Sequence, residues 1–569
     1  MLRKINGNIV LDENMTVKEI LDTYEEITLG DEIIDGVIFF TIFEKKFLFL
    51  APSEDDPASE PAIYLFNDEL LDYPHIMLRN TNFTDIKGFP EGTYRWICLY
   101  EHDSIVNALV SYEDKIFDCI DRLIELLSMS RVEREREFQK EFMYYWNSEA
   151  VGYSRVRAYI KDDTQFSEME SFHGTNFVRL IDQGVDLSDI DERNKGERKW
   201  TRHLENDIYY IPITDSRGIL PPHRGYKWTA NEVRNIVYGR QIGHISDDSF
   251  QKLKTIVPKR HDLILLFSMK TEQSNVAFAL KVRCKSIANR TLLDKLLFDI
   301  MIVEPMYTER KDYAYLCERI GNDTGLIKKR VLLIGAGSLG SYIAFELAKN
   351  GAQKIKIYDG DDLEEENILR WAYGGIGKGS KKVTTIQLLL NLLHPEMRVE
   401  GVSKNIDALT LADEVTGNDM IIVTIGSSDE QLKFNAALKK IKCRIPVLYV
   451  WLEEGGVYSH ILLVNYQKKG CFECLYTDSR GKHINNRARK NTDIMMEEGM
   501  VRNGCGGTRA AYGTAVILRT VAALLDTIRD YYDMTITENT LIDIAPNKIS
   551  VSDTEFPMEE CNCCGIKES

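Results

Sequence analysis

The stretch from Leu332 to Trp371, "LLIGAGSLGSYIAFELAKNGAQKIKIYDGDDLEEENILRW", gathers most of the residue types in this chain that could handle a nucleotide. Gly335, Gly337 and Gly340 follow an apolar run and open a helical one, a spacing that lets backbone N–H groups and a helix N-terminus approach phosphates. Asp359 closes the next apolar run, where an acidic side chain can hold a ribose. That much suits a dinucleotide. Directly afterwards come Asp361, Asn367 and Arg370, then "GIGKGSKK" with Lys378, Lys381 and Lys382, and later Asp429 after "MIIVTIGSS". Hydride transfer has no use for such a collection. Nucleotidyl transfer does, because a triphosphate must be neutralised and its pyrophosphate stabilised as a leaving group. Arg and Lys supply positive charge, and a carboxylate at a strand end can hold Mg2+. Any one of these residues could lie on an exposed charged loop; together they point to ATP rather than NAD.

These side chains must be positioned by alternating strands and helices. "RVLLIGAG", "KIKIYD", "DMIIVTIG" and "PVLYVWL" are apolar runs separated by helical stretches such as "SYIAFELAKNG" and "VTTIQLLLNLL". That pattern predicts an α/β domain over residues 306–569, with a doubly wound, mainly parallel sheet and its ligand at the carboxyl ends of the strands. Residues 1–135 read differently: a short helix (VKEILDTYEEI), two strands in "DGVIFFTIFEKKFLFLAP" joined at Glu44 to Lys46, "PAIYLFN" and "HIMLRN" extending the meander, then "YRWICLYEHD" and a helix in "IFDCIDRLIELLSMS". This predicts an α+β domain. The charged run VEREREFQKE reads as a solvated helix face at its boundary. Residues 136–305 contain strand-like runs and one helical pattern but no motif with chemistry attached, so they read as a spacer or docking domain.

At 569 residues the chain is too long for one core. Its 44% hydrophobic and 28% charged content is that of a globular protein, and a net charge of −17 argues against a nucleic-acid binder. The N-terminal residues lack a signal-peptide pattern and no apolar run is long enough to span a bilayer, so the cytoplasm is the expected location. There, eleven cysteines read as thiols, metal ligands or nucleophiles rather than disulfides. "CFEC" and "CNCC" give two pairs with the same gap, Cys471 with Cys474 and Cys561 with Cys564, the donor set of structural zinc; spacing alone leaves unmetallated thiols open as well. Cys563 is left over. Cys505 lies in a glycine-rich loop before a long apolar helix, with Arg502 and Arg509 near enough in sequence to favour its thiolate. Cys98, apolar-flanked in a β-rich segment, reads by itself as a core residue, as do Cys119, Cys284, Cys317 and Cys443.

The order D-x-D, N-x-x-R, glycine with lysine, and an apolar strand followed by Asp429 resembles the ThiF/MoeB adenylation fold, which ubiquitin-activating enzymes share. The resemblance implies that Asp359 holds the ribose, Asn367 and Arg370 contact phosphates, Lys382 rather than Lys378 is the phosphate lysine, and Asp429 binds magnesium. The sequence departs from the family where Glu430 and Lys433 replace its usual Asn and Arg. Paired CxxC motifs in these places imply zinc, and a cysteine before the last helix implies that Cys505 receives the activated carboxyl group. The N-terminal helix, meander, Pro74-His75 pair and following cysteine resemble ubiquitin-conjugating domains, although the His-Pro-Asn tripeptide is absent and only Asn80 and Asn82 could replace its asparagine. A conjugating-like domain, a spacer and an activating-like domain in one chain resemble the fused ubiquitin-transfer enzymes of bacterial anti-phage operons, type II CBASS systems among them. That implies adenylation of a protein's C-terminus by ATP, capture on Cys505, transfer to Cys98, delivery to an amine of a target, and a homodimer. Two expectations compete: a sulfur-carrier activase of ThiF type, which would use Cys505 but leave residues 1–135 without a chemical task, and a non-catalytic scaffold with a vestigial nucleotide site, against which the intact run from Asp359 to Lys382 speaks.

Overall fold

The computed structural model describes residues 4–5, 8–9, 15–34, 36–53, 55–56, 58–67, 72–77, 80–83, 89–99, 109–150, 155–173, 177–187, 201–203, 207–223, 226–239, 244–272, 274–285, 289–321, 325–482, 486–490, 500–502, 508–546 and 548–565. The chain divides into two compact units, residues 1–183 with 201–310, and residues 184–200 with 311–569.

Among the described residues the first unit contains a two-stranded ladder, Lys4–Ile5 with Asn8–Ile9, and two large sheets. The N-terminal one is an antiparallel meander of Ile27–Ile34, Val37–Ile42, Lys45–Leu50, Ala62–Phe66 and Tyr94–Trp96. Its inward side chains, among them Phe40, Phe47 and Phe49, pack against the helices Val17–Asp22 and Tyr112–Ser128. The second helix turns Ile116, Cys119, Ile120, Leu123 and Leu127 to that core, the three-and-four spacing of a one-sided helix. Among the described residues "HIMLRN" is not a strand of the meander: it meets the neighbouring segment at the bridge Ile76–Ile97, Thr81 just beyond it bridges Tyr94, and Leu78 and Arg79 lie outside the described residues. The reason is local, since Pro74 has no N–H to give a ladder and His75 sits at φ 64°, outside extended backbone. The charged run forms a helix, Arg131–Lys140, mostly exposed but anchored by Phe138, whose ring stacks on His223 at 4.2 Å. The second sheet is mixed, with the nine strands seen among the described residues, and buries apolar side chains on both faces.

In the second unit an eight-stranded sheet runs Arg398–Val402, Lys354–Tyr358, Arg330–Ile334, Met420–Val423, Val447–Leu452, Ser459–Val464, Thr540–Ala545, Lys548–Asp553. The first five are parallel and the rest antiparallel. Arg330–Ile334 comes first in the chain yet lies in the middle, with the next strand on one side and Met420–Val423 on the other. Strand order therefore reverses beside its carboxyl end, which opens a crevice there. Cys284, Cys317 and Cys443 are buried, as their apolar contexts predicted, and so is Cys119. Among the described residues no helix is long and apolar enough to cross a membrane.

Candidate functional site

The crevice holds a cavity of about 960 Å³ lined by residues from most of the carboxyl-terminal loops of the parallel strands. Its floor is the glycine turn. Gly335 has φ +99°, and a Cβ there would come within 2.8 Å of Thr424 Oγ1; a Cβ on Gly340 would lie 2.0 Å from the Gly335 carbonyl oxygen. Those two glycines permit close packing of strand, turn and helix. Gly337 differs: it caps the helix Ser338–Lys349, a Cβ on it would meet nothing within 4 Å, and no side chain caps that helix. The first N–H groups of the helix thus face the cavity without a side-chain acceptor, a site for an anion. Trp371, buried beside the turn, donates its indole N–H to the Ala336 carbonyl at 3.0 Å and fixes the turn from below.

Positive charge comes from the other wall. The segment Glu365–Arg370 brings Asn367 and Arg370 together, with Arg370 donating to Asn367 Oδ1 at 3.0 Å. The Arg370 guanidinium lies 5.5 Å from the Tyr512 ring centre, and the Tyr512 hydroxyl is 2.7 Å from Ser338 Oγ. Three lysines follow closely in sequence, but the fold separates them. Lys378 is half exposed and pairs with Glu365 at 2.8 Å, Lys381 pairs with Asp362 at 3.1 Å, and Lys382 is buried, lines the cavity and pairs with Asp361 at 2.9 Å. Asp361 is mostly exposed at its carboxylate, so an incoming phosphate can compete for Lys382 at little cost.

The two remaining carboxylates do not line the cavity. Asp359 accepts backbone N–H groups of Ala336 at 2.7 Å and Asp361 at 2.9 Å, which ties the glycine turn to the next loop. Asp429 is exposed in the first turn of the helix Ser428–Lys440, whose Ser427 and Ser428 do border the cavity. Glu430 and Lys433, the departures noted in the sequence, pair with one another at 2.6 Å.

The far wall is aromatic and acidic: Trp451, Phe472 and Tyr476 with Glu453 and Glu454. Behind it is a group that sequence reasoning missed. His460, fully buried, places Nε2 2.7 Å from Glu453 Oε1 and Nδ1 2.8 Å from Asp543 Oδ1, and its ring stacks on Trp451. Glu453 also accepts the Lys490 N–H at 2.5 Å, and Lys490 Nζ lies 3.0 Å from Asp543. A histidine inside the apolar run "SHILLV" gives no signal of this, because Asp543 comes from 83 positions away and Glu453 from the loop before the strand. Burial alone would lower the His460 pKa, but the hydrogen bonds to Asp543 and Glu453 outweigh it and raise it above the ordinary 6.5. The charged form is therefore the one the fold favours. Its stabilisation is complete below about 6.5, the unfolded-state value, and is lost as pH rises through the higher folded-state value. Thermal melts of the wild type should fall over that window, with a flatter profile for His460→Gln. Wild-type melts with no decline above the unfolded-state value would count against a charged His460. His460→Ala should cost about 3–5 kcal/mol, because it leaves two buried carboxylates without their cation.

The four paired cysteines meet. Cys471, Cys474, Cys561 and Cys564 place their sulfurs within 4.8 Å of one another, with Cys471–Cys561 at 3.8 Å and Cys474–Cys564 at 3.3 Å. Tetrahedral zinc with bonds of about 2.3 Å requires sulfur–sulfur separations of roughly 3.8 Å, so the donor type and spacing fit that ion. Asn435 donates to Cys471 at 3.5 Å and to Cys563 at 3.2 Å, supporting the cluster from behind.

Cys505 lies outside the described residues, as do the side chains of Arg502 and Arg509; the flanking Met500–Arg502 and Thr508–Ala510 pair as a short antiparallel ladder. In the first unit Cys98 is half-buried just after the strand Tyr94–Trp96 and donates its N–H to the His75 carbonyl at 2.8 Å. Asn80 and Asn82 are exposed.

Residues 318–564 match the model of the ThiF family. The ATP-dependent ubiquitin transferase-like protein Cap2 of Vibrio cholerae serotype O1 is 22% identical over 440 residues, which is 71% of this chain and 72% of Cap2. Ubiquitin-like modifier-activating enzyme 5 of Culex quinquefasciatus is 24% identical over 237 residues, 38% of this chain and 56% of that protein. The uncharacterized protein y4oA of Sinorhizobium fredii is 27% identical over 185 residues, 30% of this chain, and the match spans only 31% of y4oA. The crystal structure of E. coli MccB covers 43% of this chain and 67% of its own length at 17% identity, with a TM-score of 0.34. The glycine turn, the strand order and the family match thus coincide in one region: residues 318–564 of this chain are a ThiF domain.

Proposed function

We propose that this protein adenylates the C-terminus of a protein substrate with ATP and passes the acyl group through two cysteines to an amine. The observation that carries the first step is the convergence on one cavity of an uncapped helix N-terminus, Asn367, Arg370 and Lys382. Carboxylates are poor electrophiles, so attack on the α-phosphorus with loss of pyrophosphate supplies the leaving group that acyl transfer needs. Arg370 and Lys382 bear on the phosphates, Asp359 fixes the turn and serves the ribose, and Asp429, next in the chain to the cavity-lining Ser428, holds Mg2+. Mg2+ when bound would neutralise the triphosphate. Cys505 then captures the acyl group as a thioester, Cys98 receives it, and an amine of the target takes it from there. The relatedness to Cap2 supports this order, and residues 1–135 acquire a task as a conjugating-like domain, with 136–305 as spacer. A homodimer and a place in bacterial anti-phage defence of the CBASS kind belong to the same reading, with a ubiquitin-like protein or a cyclic-oligonucleotide synthase as the class of substrate. The test is pyrophosphate exchange into ATP that depends on a partner protein with an intact C-terminus. Tight NAD binding without exchange would replace this proposal with a redox one.

Zinc held by Cys471, Cys474, Cys561 and Cys564 ties the C-terminal segment to the ThiF domain. Purified without chelator, the chain should carry one zinc per molecule by elemental analysis. Cys561→Ser should release the metal and lower the melting temperature by at least ~5 °C, because metal binding is coupled to folding. Metal-free wild-type protein melting at the same temperature as the zinc-loaded form would remove the structural role.

A further inference from the structure

His75 and Cys98 lie opposite one another in the meander unit. Cys98 N–H donates to the His75 carbonyl at 2.8 Å and Met77 N–H to the Trp96 carbonyl at 2.9 Å, on either side of the bridged pair Ile76–Ile97. His75 adopts φ 64°, uncommon for a residue with a side chain, and donates its own N–H to Tyr145 Oη at 2.9 Å.

Its imidazole is held between two carboxylates from the helices that follow. Nε2 lies 3.6 Å from Glu137 Oε2 and Nδ1 lies 3.6 Å from Glu141 Oε1, with the ring 23% exposed. Glu137 is fixed by Lys140 at 2.6 Å, and Glu141 faces the buried phenol of Tyr145. At 3.6 Å neither carboxylate makes a formed hydrogen bond to the ring, so a ring nitrogen remains able to exchange a proton. Cys98 and His75 are thus neighbours through their backbones, and the His75 ring is flanked by two carboxylates from a third stretch of chain; a base oriented by a carboxylate is what a neighbouring thiol needs to become a nucleophile.

We propose that His75 is the proton acceptor for Cys98, with Glu137 and Glu141 orienting its ring and balancing the imidazolium that forms. The proposal rests on Cys98 being the second thiol of the relay. In that step the Cys98 thiol gives its proton to a His75 ring nitrogen and the thiolate attacks the incoming thioester carbonyl. A bond from Cys98 Sγ to the acyl carbon forms, the donor's sulfur–carbon bond breaks, and the departing thiolate takes the proton back. When an amine then attacks, its nitrogen–carbon bond forms, Cys98 leaves as a thiolate, and the amine's surplus proton passes to His75.

Thiol reactivity tests this without the substrate. The full-length chain is treated with iodoacetamide at neutral pH, and labelling of the Cys98 and Cys119 peptides is followed by mass spectrometry. His75→Gln should slow Cys98 labelling by about tenfold or more, and Glu137→Gln combined with Glu141→Gln by a smaller factor, since the thiolate is the reacting form. Added imidazole should restore the rate in His75→Ala, with the core residue Cys119 unlabelled throughout. Wild-type labelling in His75→Gln would overturn the proposal. So would a slowed rate that imidazole fails to restore, which would assign His75 to packing alone. If Cys98→Ala still conjugates normally while these labelling results hold, it is the relay that fails and not the pairing of His75 with the thiol.

Discussion

Arg370→Ala and Lys382→Ala should each lower substrate-dependent pyrophosphate exchange by about 10²–10³-fold, whereas Lys378→Ala should stay within roughly twofold of wild type. The three cations lie close together in sequence and differ only in what the fold does with them. Arg370 lines the cavity against Tyr512, and Lys382 is buried there with an exposed partner, Asp361, that phosphate can replace. Lys378 points to the surface and pairs with Glu365. Charge aimed at the leaving group contributes in the transition state, while a solvated ion pair outside the cavity contributes nothing to it. Equal damage from Lys378→Ala and Lys382→Ala would mean that the loop acts by general electrostatics or stability, and the phosphate assignment would fall. Melting temperatures close to wild type for all three variants keep folding out of the comparison.

The second large effect separates the relay from a sulfur-carrier activase. Cys505→Ala should retain pyrophosphate exchange and lose every reductant-sensitive adduct. Cys98→Ala should still form the adduct on Cys505 and fail to deliver it to an amine. Exchange of one thioester for another is nearly isoenergetic, thiol for thiol, so position and later consumption of the product drive it. Gels with and without reductant, run on both variants with the cognate substrate, decide the order. Normal conjugation by Cys98→Ala would remove the meander domain from the chemistry and favour direct transfer or the sulfur-carrier alternative.

Much of the ThiF domain was legible in the residues themselves. Three of the parallel strands, Arg330–Ile334, Met420–Val423 and Val447–Leu452, are almost continuous apolar runs because both faces of the sheet are covered there, and the glycines mark a turn where backbone must approach backbone. Helical spacing in Tyr112–Ser128 likewise foretold a single buried face. Local pattern sufficed wherever the determinant was local. At "HIMLRN" apolar content is outweighed by Pro74 ahead of the run and by its own first residue, His75, in the left-handed region.

What tertiary structure alone decided depends on groups distant in the chain. Composition does not distinguish Lys378, Lys381 and Lys382, and only the family resemblance singled out Lys382; the loop path is what buries it in the cavity and pairs the other two outside it. Cys471 and Cys561 are 90 positions apart, and sequence could propose their partnership only from matched gaps, whereas the fold brings the sulfurs to 3.8 Å. His460 gave no sign, because its charge is stabilised by Asp543, which strand pairing brings from 83 positions away, and by Glu453 in the loop seven positions before it. His75 was visible only as the neighbour of a proline, and its place opposite Cys98 arises from a single bridge between segments that sequence leaves unpaired. Residue type and spacing fixed which chemistry was available; long-range pairing, through burial and the removal of competing water, selected the side chains that can perform it.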